Sequence, residues 1–207
     1  GVISAGLNVV DIGMLPTPVN YFSNYCSEIR VDGSVQITGS HNPSEYNGFK
    51  FTLKRKPFFA EKIQELYNMM KSQEQSELEI SNLKGKIIKK DIIPLYINDI
   101  VNRIKINRKM KVIIDCGNAA GAIVAPQIFR NLGIDVKELY CDIDGTFPNH
   151  HPDPTVDSNL DKIVAEIKTN EGFDLGVAYD GDADRVVCID PKGNIIRSDI
   201  LMCIFIK

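Results

Sequence analysis

Short apolar runs alternate with segments of helical periodicity from residue 93 to the end of the chain. Runs of four to eight residues favour buried strands, whereas apolar residues three and four positions apart favour amphipathic helices. Such alternation is typical of an α/β fold, in which ligands bind on loops at strand ends. The predicted elements are helix 93–104, strand 112–116, helix 126–132, strand 134–140, a helix around 163–167, strands 175–179, 185–189 and 195–196, and a helix that starts near Ser198 or Asp199 and continues to Lys207.

The first part of the chain has a similar mixture of elements, separated from the second by a polar segment. Its predicted elements are strand 7–13, a helix that begins at Pro18 with Thr17 as its N-cap, strands 35–38 and 48–53, and a helix over 59–70. Residues 73–86 lack periodicity and are rich in Glu, Gln and Ser, which is typical of a linker. The sequence therefore predicts two consecutive α/β domains with mixed sheets flanked by helices, over residues 1–85 and 86–207.

Composition restricts the class of protein and its partners. Of 207 residues, 43% are hydrophobic, and 27 acidic against 24 basic residues leave a net charge of −3. This balance predicts a globular chain whose principal partner is neither nucleic acid nor a membrane. The five cysteines are odd in number and lack a C-x-x-C spacing, and no long apolar stretch or signal-like segment is present, so we expect a cytoplasmic chain with reduced thiols. The oligomeric state is not indicated.

Ser40 is a candidate nucleophile because of the loop that contains it. The sequence ITGSHNP, residues 37–43, places this hydroxyl between a glycine and an ionisable imidazole at the end of an apolar run. We expect Gly39 to turn the chain at positive φ and Pro43 to prevent a helix from starting there. The alternative is that Ser40 and Asn42 only cap the turn through side-chain hydrogen bonds to the backbone.

A second loop follows the predicted strand 175–179 and carries carboxylates at alternate positions, Asp180, Asp182 and Asp184. Like charges ~4 to 6 Å apart repel by about 1 to 3 kcal/mol per pair at an effective dielectric near 20, so the spacing favours a bound cation. Oxygen ligands suit Mg²⁺ better than Zn²⁺. An EF-hand is excluded, since Arg185 and Pro191 stand where that loop needs glycine and glutamate. A solvated acidic turn is the remaining alternative.

Three other motifs favour structural interpretations. His150 and His151 are adjacent, and adjacent residues rarely face one metal ion, so we interpret them as part of a rigid, proline-containing loop. Residues 117–121 are rich in glycine but match neither common nucleotide-binding pattern. The basic run 54–56 predicts a solvated turn.

The two loops together resemble the active-serine loop and the metal loop of the α-D-phosphohexomutase superfamily, in the segments ITGSHNPSEYNGFKF, residues 37–51, and DGDADR, residues 180–185. The segment NHHPDP, residues 149–154, and DCGN, residues 115–118, resemble its bacterial bifunctional phosphomannomutase/phosphoglucomutase branch. The resemblance implies four α/β domains around one cleft. On this basis we expect the chain to be an N-terminally incomplete domain I followed by a domain II that ends within a helix, and to be inactive without domains III and IV.

The same resemblance implies roles for individual residues. Ser40 is expected to be carried as a phosphoserine and to bind one Mg²⁺ together with Asp180, Asp182 and Asp184. Arg185 is expected to bind the phosphoryl group; the alternative is a surface arginine paired with the aspartates.

The expected reaction interconverts hexose 1-phosphate and hexose 6-phosphate through hexose 1,6-bisphosphate, in carbohydrate metabolism. His41 and Lys50 are equal candidates for handling the proton. The substrate alternative is a phosphoglucosamine mutase, since the sugar-recognition loop of the family belongs to a later domain. A non-catalytic Mg²⁺ or sugar-phosphate binding module is the functional alternative, and a serine hydrolase is disfavoured because Ser40 lacks the G-x-S-x-G pattern.

Overall fold

The computed structural model of this chain describes residues 1–43, 45–73 and 84–206. In chain order the elements are β1 (Val9–Asp11), α1 (Thr17–Ser23), β2 (Gly33–Ile37), β3 (Phe49–Leu53), β4 (Lys56–Phe58), α2 (Glu61–Gln73), β5 (Ile87–Lys89), α3 (Ile93–Arg103), β6 (Lys111–Asp115), α4 (Ala125–Asn131), β7 (Asp135–Leu139), α5 (Asp161–Thr169), β8 (Leu175–Tyr179), β9 (Val186–Ile189), β10 (Ile195–Ile196) and α6 (Ser198–Phe205). None of the described helices is long and apolar enough to cross a membrane.

The chain divides into two compact units that are not consecutive in sequence. The first comprises Gly1–Gly13, Asn20–Gln36 and Phe49–Ile92, and the second comprises Met14–Val19, Ile37–Gly48 and Ile93–Lys207. The second unit therefore contains both the serine loop and the aspartate loop. The predicted linker over 73–86 lies mostly outside the described residues, so the division between residues 85 and 86 stays a prediction.

The first unit contains two small sheets. Strands β2, β3 and β4 form one of them in that order, with β3 and β4 antiparallel and Phe51 opposite Phe58. Strands β1 and β5 form the other as a parallel pair, with Val9 opposite Ile87. Lys54 and Arg55 form the turn between β3 and β4 with φ values of 51° and 62°. The predicted turn is therefore confirmed at these two residues, whereas Lys56 already belongs to a strand.

The second unit is built on a five-stranded mixed sheet in the order β10-β9-β8-β6-β7. Strand β6 is parallel to both β7 and β8, and β9 is antiparallel to β8. Because β6, β7 and β8 run in the same direction, their carboxyl ends meet at one edge of the sheet. The loop that begins at Asp180 and the turn after Asp115 both leave from this edge.

Side chains of β6 alternate between two apolar clusters, as the two-residue period of a strand requires. Ile113 packs with Ile163 and Ile167 of α5, and Ile114 lies in a cluster that Phe129 of α4 covers. Strand β6 is almost wholly buried between these layers. The arrangement confirms the predicted α/β class, with helices on both faces of a mixed sheet.

Most predicted elements agree with the structure to within a few residues at each end, but two details differ. Strands β4 and β5 were not predicted, because both are three residues long and mostly exposed. The last helix is described over Ser198–Phe205, and Lys207, to which it was predicted to continue, lies outside the described residues. Thr17 is the first residue of α1 rather than its cap.

Candidate active site

The loop after β8 brings three carboxylates together. Oxygen atoms of Asp180, Asp182 and Asp184 lie within 4.8 Å of one another, with the first two residues buried and the third exposed. The loop folds around Asp180, whose Oδ1 accepts hydrogen bonds from the backbone N–H groups of Asp184 and Arg185, both at 3.0 Å. The carboxylate at the strand end therefore fixes the turn that presents the other two.

This cluster is electrostatically suited to a cation. Burial raises the pKa of Asp180, and the charges of Asp182 and Asp184 raise it further, against the lowering effect of hydrogen bonds from the Arg185 backbone and Ser40. The fully ionised cluster is therefore costly without a compensating positive charge. A donor set made only of carboxylate oxygens suits a hard divalent ion with few protein ligands. The residues present fit the predicted Mg²⁺.

Ser40 lies against the first of these carboxylates. Its Oγ donates a hydrogen bond of 3.0 Å to Oδ2 of Asp180, and its backbone N–H donates to Oγ1 of Thr38 at 2.8 Å. The backbone of Ser40 is left-handed, with a φ of 54°, a conformation that non-glycine residues adopt at some energetic cost. The predicted nucleophile is thus held in a strained turn with its hydroxyl on the aspartate cluster.

Two glycines explain how the loops approach so closely, and one corrects a prediction. We expected Gly39 to supply the positive φ, but Ser40 itself has it. Gly39 is needed for space, because a Cβ there would lie 2.8 Å from the carbonyl oxygen of Tyr46. A Cβ on Gly181 would lie 2.1 Å from the carbonyl oxygen of Ser40. The serine loop therefore contacts the aspartate loop backbone to backbone.

His41 and Arg185 complete the charged surroundings of the serine. Nδ1 of His41 is 3.3 Å from Oγ of Ser40, and Nε2 is 3.4 Å from a terminal nitrogen of Arg185. The guanidinium nitrogen Nε lies 3.8 Å from Oδ2 of Asp180. A guanidinium can only donate, so its hydrogen bond with Nε2 needs the tautomer that carries its proton on Nδ1. In that tautomer His41 donates to Ser40, and Ser40 donates to Asp180.

The loop 149–154 contacts the serine loop. This contact was not expected from the sequence, which indicated only a rigid, proline-containing loop at 149–154. Nε2 of His151 forms a hydrogen bond with the carbonyl oxygen of His41. Oδ2 of Asp153 lies 4.0 Å from Nε2 of His41. Burial raises the pKa of Asp153, but hydrogen bonds from Thr155 and the nearby positive groups lower it, and the net shift is downward. A negative charge at this position faces the imidazole from the side opposite Ser40.

Thr17 is a site residue that the sequence did not indicate. Its side chain is fully buried, its Oγ1 donates to Oδ2 of Asp182 at 2.6 Å, and its backbone N–H donates to the carbonyl oxygen of Asp182 at 2.9 Å. The sequence suggested a helix cap because a threonine between two prolines is typical of one. Nothing local indicates a partner 165 residues away.

We expect Thr17→Val to lower the free energy of unfolding by about 2 kcal/mol, because valine keeps the volume but removes the hydrogen bond to a buried carboxylate. Thr17→Ser keeps the hydroxyl and should lose at most about 1 kcal/mol for one methyl group. Urea unfolding of the 207-residue chain in metal-free buffer measures both. Equal losses in the two variants would contradict a role for the hydroxyl.

Lys50 lies on β3 in the first unit, and its side chain is partly buried. Ser40, His41, Arg185 and the three aspartates all belong to the second unit. The structure therefore brings six of the seven predicted site residues together within one unit. The role of Lys50 in proton handling stays a prediction.

Comparisons with known proteins agree with the fold and the loops. The family model described as phosphoglucomutase/phosphomannomutase, alpha/beta/alpha domain I, matches residues 1–77, and that for domain II matches residues 94–193. The phosphomannomutase/phosphoglucomutase of Pseudomonas putida is 40% identical over 205 residues, which are 99% of this chain and 42% of that protein. The phosphoglucomutase of Neisseria meningitidis is 42% identical over 207 residues, which are 99% of this chain and 43% of that protein.

A solved structure gives the same result. The crystal structure of a phosphoglucomutase/phosphomannomutase family protein from Burkholderia thailandensis matches with a TM-score of 0.88 and 38% identity, covering 98% of this chain and 44% of that one. This chain thus spans less than half the length of the relatives that it matches. The matches to both domain models and the identity along almost the whole chain show that it belongs to the phosphoglucomutase/phosphomannomutase family of the α-D-phosphohexomutase superfamily.

Proposed function

We propose that this chain carries the phosphoserine part of the active site of a phosphomannomutase/phosphoglucomutase. The observation that supports this most directly is the hydrogen bond from Oγ of Ser40 to Asp180 within the aspartate cluster. The relatives named above are mutases, which supports the isomerase class. Because the chain spans less than half of their length, we propose that the complete cycle from hexose 1-phosphate to hexose 6-phosphate needs the remaining part of such a protein.

Phosphoryl transfer needs charge neutralisation and positioning more than covalent chemistry, because the transferred group is anionic throughout. We assign one Mg²⁺ to Asp180, Asp182, Asp184 and an oxygen of phosphorylated Ser40, where the ion, when bound, would supply positive charge to the phosphoryl group. Nε of Arg185 lies 3.8 Å from Oδ2 of Asp180, the same oxygen that Ser40 bonds, and its planar fork can bind phosphoryl oxygens. The left-handed turn at Ser40 projects the hydroxyl from the loop, so the nucleophile is oriented before substrate binds.

We assign the proton transfer at Ser40 to His41, and Lys50 remains the alternative. When the phosphoryl group leaves for a sugar hydroxyl, Oγ of Ser40 gains negative charge and must take up a proton. Nδ1 of His41 lies 3.3 Å from that oxygen. In its imidazolium form the ring donates the Nδ1 proton to Ser40 and is left neutral, with its remaining proton on Nε2. In the reverse direction the same nitrogen can accept the proton. Asp153 faces the other ring nitrogen and can stabilise the imidazolium form.

A second function, a non-catalytic module that binds Mg²⁺ or a sugar phosphate, would keep the aspartates but would not need a phosphorylatable serine. The strained backbone at Ser40 and the placement of His41 on its hydroxyl favour the mutase. A phosphoglucosamine mutase would differ in the sugar alone. Assays on the 1-phosphates of mannose, glucose and glucosamine distinguish these substrates.

The decisive experiment is to follow phosphate on Ser40. We expect the protein in its full natural length, incubated with Mg²⁺ and a hexose 1,6-bisphosphate, to gain the mass of one phosphate on this residue. Ser40→Ala should keep the fold and gain none, whereas Ser34→Ala, which removes a hydroxyl of the first unit, should still be phosphorylated at Ser40. Intact-mass spectrometry with peptide mapping measures the change. A protein that turns over hexose phosphate while Ser40 stays unmodified would overturn the proposal.

A further inference from the structure

His150 has a hydrogen-bond acceptor at each of its ring nitrogens. Nε2 lies 3.1 Å from both carboxylate oxygens of Asp115, and Nδ1 lies 2.9 Å from the carbonyl oxygen of His151. A neutral imidazole has one N–H, whereas an imidazolium has two. With the Asp115 carboxylate ionised, both contacts are therefore hydrogen bonds only when His150 is protonated. The geometry specifies a charged histidine paired with a buried carboxylate.

The surroundings of this pair favour its charged form. Asp115, at the carboxyl end of β6, is 1% exposed, and the backbone N–H of Gly117 donates to its Oδ1 at 2.9 Å. Among the described residues, the titratable groups that face His150 are Asp115 and, beyond β7, Tyr140, whose ring centroid is 5.2 Å away. Burial lowers the pKa of His150, but Asp115 and the carbonyl oxygen of His151 raise it, and the net shift is upward.

The pair anchors the loop 149–154 at the sheet edge. Nδ2 of Asn149 donates to Oδ1 of Asn118 at 2.7 Å, on the turn that follows Asp115. Gly117, in the same turn, has a φ of 54°, and a Cβ there would lie 3.0 Å from Cβ of Pro152. The loop is thus packed against the turn by close contacts. Asn149 and His150 contact the sheet edge and its turn, whereas His151 and Asp153 contact the serine loop.

A continuous series of contacts leads from this anchor to the serine. His151 follows His150 directly, and its Nε2 bonds the carbonyl oxygen of His41. Asp153 lies 4.0 Å from the ring of His41, and that ring is 3.3 Å from Oγ of Ser40. Neither Asp115 nor His150 is among the residues that contact Ser40 in this series. Any influence of the pair on the nucleophile acts through the loop.

We propose that Asp115 and protonated His150 are a positioning pair for the serine loop, acting through residues 151–153 on the backbone and ring of His41. The inference rests on the proposed function in treating Ser40 as the phosphoryl acceptor. The stabilisation that the pair gives to the folded loop is fully present at pH values where the imidazole is protonated in both the folded and the unfolded chain. Because the folded pKa is raised, that contribution is lost as the pH rises through the folded value. At pH values above the folded pKa of His150, the loop 149–154 is no longer held by an ion pair, and the serine loop is positioned less firmly.

The first test is histidine NMR, because the chain has three histidines. With ring-¹⁵N-labelled protein, and His150→Gln to assign the signals, we expect His150 of the wild-type chain to show two N–H protons below its titration midpoint, and that midpoint to lie above the ordinary value of 6.5. Asp115→Asn should lower this midpoint, because burial lowers the pKa of His150 and the carboxylate that opposes this effect is removed. Asp135→Asn, a matched change at an exposed residue of β7, should leave it unchanged. A midpoint at or below 6.5 in the wild-type chain, or no shift of the midpoint in Asp115→Asn, overturns the proposal.

The second test asks whether Ser40 senses the pair. The backbone amide signal of Ser40 should show a titration step with the midpoint of His150, separate from any step due to His41. This step should be lost in His150→Gln, since glutamine can bond Asp115 but carries no titrating charge. A step that persists in His150→Gln contradicts the positioning role, even if Asp115→Asn fails to fold.

A third measurement separates this inference from the function on which it rests. In the full natural length, the rate of phosphate transfer to Ser40 should fall about 10-fold as the pH rises through the midpoint of His150, and this step should be absent in His150→Gln. Transfer to Ser40 with the same pH profile in both proteins would refute the positioning pair alone. No phosphate on Ser40 at any pH would refute the proposed function, while the NMR tests would still decide whether the pair positions the loop.

Discussion

Gly181→Ala is expected to slow phosphate transfer to Ser40 about 100-fold, because the new methyl group would occupy the space where the two loops meet. Its Cβ would lie 2.1 Å from the carbonyl oxygen of Ser40 and 3.6 Å from Cγ of Pro152. The oxygen belongs to the backbone, so no rotamer change can relieve the overlap. One loop must move by about 1 Å, and displacements of that size at a reacting group cost about two orders of magnitude in rate.

Gly145→Ala is the matched control, because a Cβ at Gly145 has no described atom within 4 Å. We expect this variant to transfer phosphate at the wild-type rate. A time course of phosphate incorporation by intact mass, in the full natural length, gives both rates. Thermal unfolding of the two variants shows whether Gly181→Ala still folds. Equal rates in both variants would mean that the contact between the loops is not needed for positioning Ser40.

Strands β6, β8 and β9 of the second unit could be predicted because each of them is largely a continuous apolar run. Strand β8, predicted over 175–179, is observed as Leu175–Tyr179, and its burial between two layers of helices explains the lack of alternation. The pairing of β1 with β5 could not be predicted in this way. These strands are short, both are partly or fully exposed, and their pairing joins Val9 to Ile87 across most of the first unit. Such a contact leaves no local pattern in the sequence.

The same distinction applies to the site. The aspartates and Ser40 could be predicted because polar residues at the ends of apolar strands have a local pattern that indicates chemistry. Thr17 could not, because its partner Asp182 is distant in sequence and its own surroundings indicate a helix start. His150 was interpreted as structural because an adjacent histidine argues against a shared metal ion. What the sequence could not show was the buried carboxylate of Asp115 that faces it.

The positive φ of the serine loop was predicted for the wrong residue. Glycine is the usual choice for positive φ, so Gly39 was the natural candidate from sequence. In the structure Gly39 leaves space for the carbonyl oxygen of Tyr46, which a side chain at this position would overlap. Ser40 has the left-handed backbone conformation instead. A local propensity was thus overridden by the need to bring two backbone segments close together. The hydrogen bond from the Ser40 N–H to Thr38 supports the turn in this conformation.

Asp182→Asn is expected to weaken Mg²⁺ binding by at least about 100-fold and to stabilise the metal-free chain. A unit charge interaction at ~4 Å is worth about 4 kcal/mol at an effective dielectric of 20, so losing one carboxylate removes a large share of the attraction for a divalent ion. The same change removes repulsion from Asp180, whose raised pKa reflects it. We therefore expect the free energy of unfolding without metal to increase by about 1 kcal/mol. Asparagine can still accept the hydrogen bond from Thr17.

Opposite effects on binding and stability distinguish a cation site from a solvated acidic turn. Calorimetric titration of the 207-residue chain with Mg²⁺ gives the affinity, and urea unfolding in chelator-treated buffer gives the stability. Asp135→Asn removes an exposed carboxylate of β7 and should change neither quantity by much, which controls for the change in net charge. If Asp182→Asn bound Mg²⁺ as well as the wild-type chain, the three aspartates would not be its ligands. If Asp182→Asn were instead less stable than the wild-type chain in metal-free buffer, the repulsion between the aspartates would already be relieved within the protein. The electrostatic argument for a bound ion would then fail.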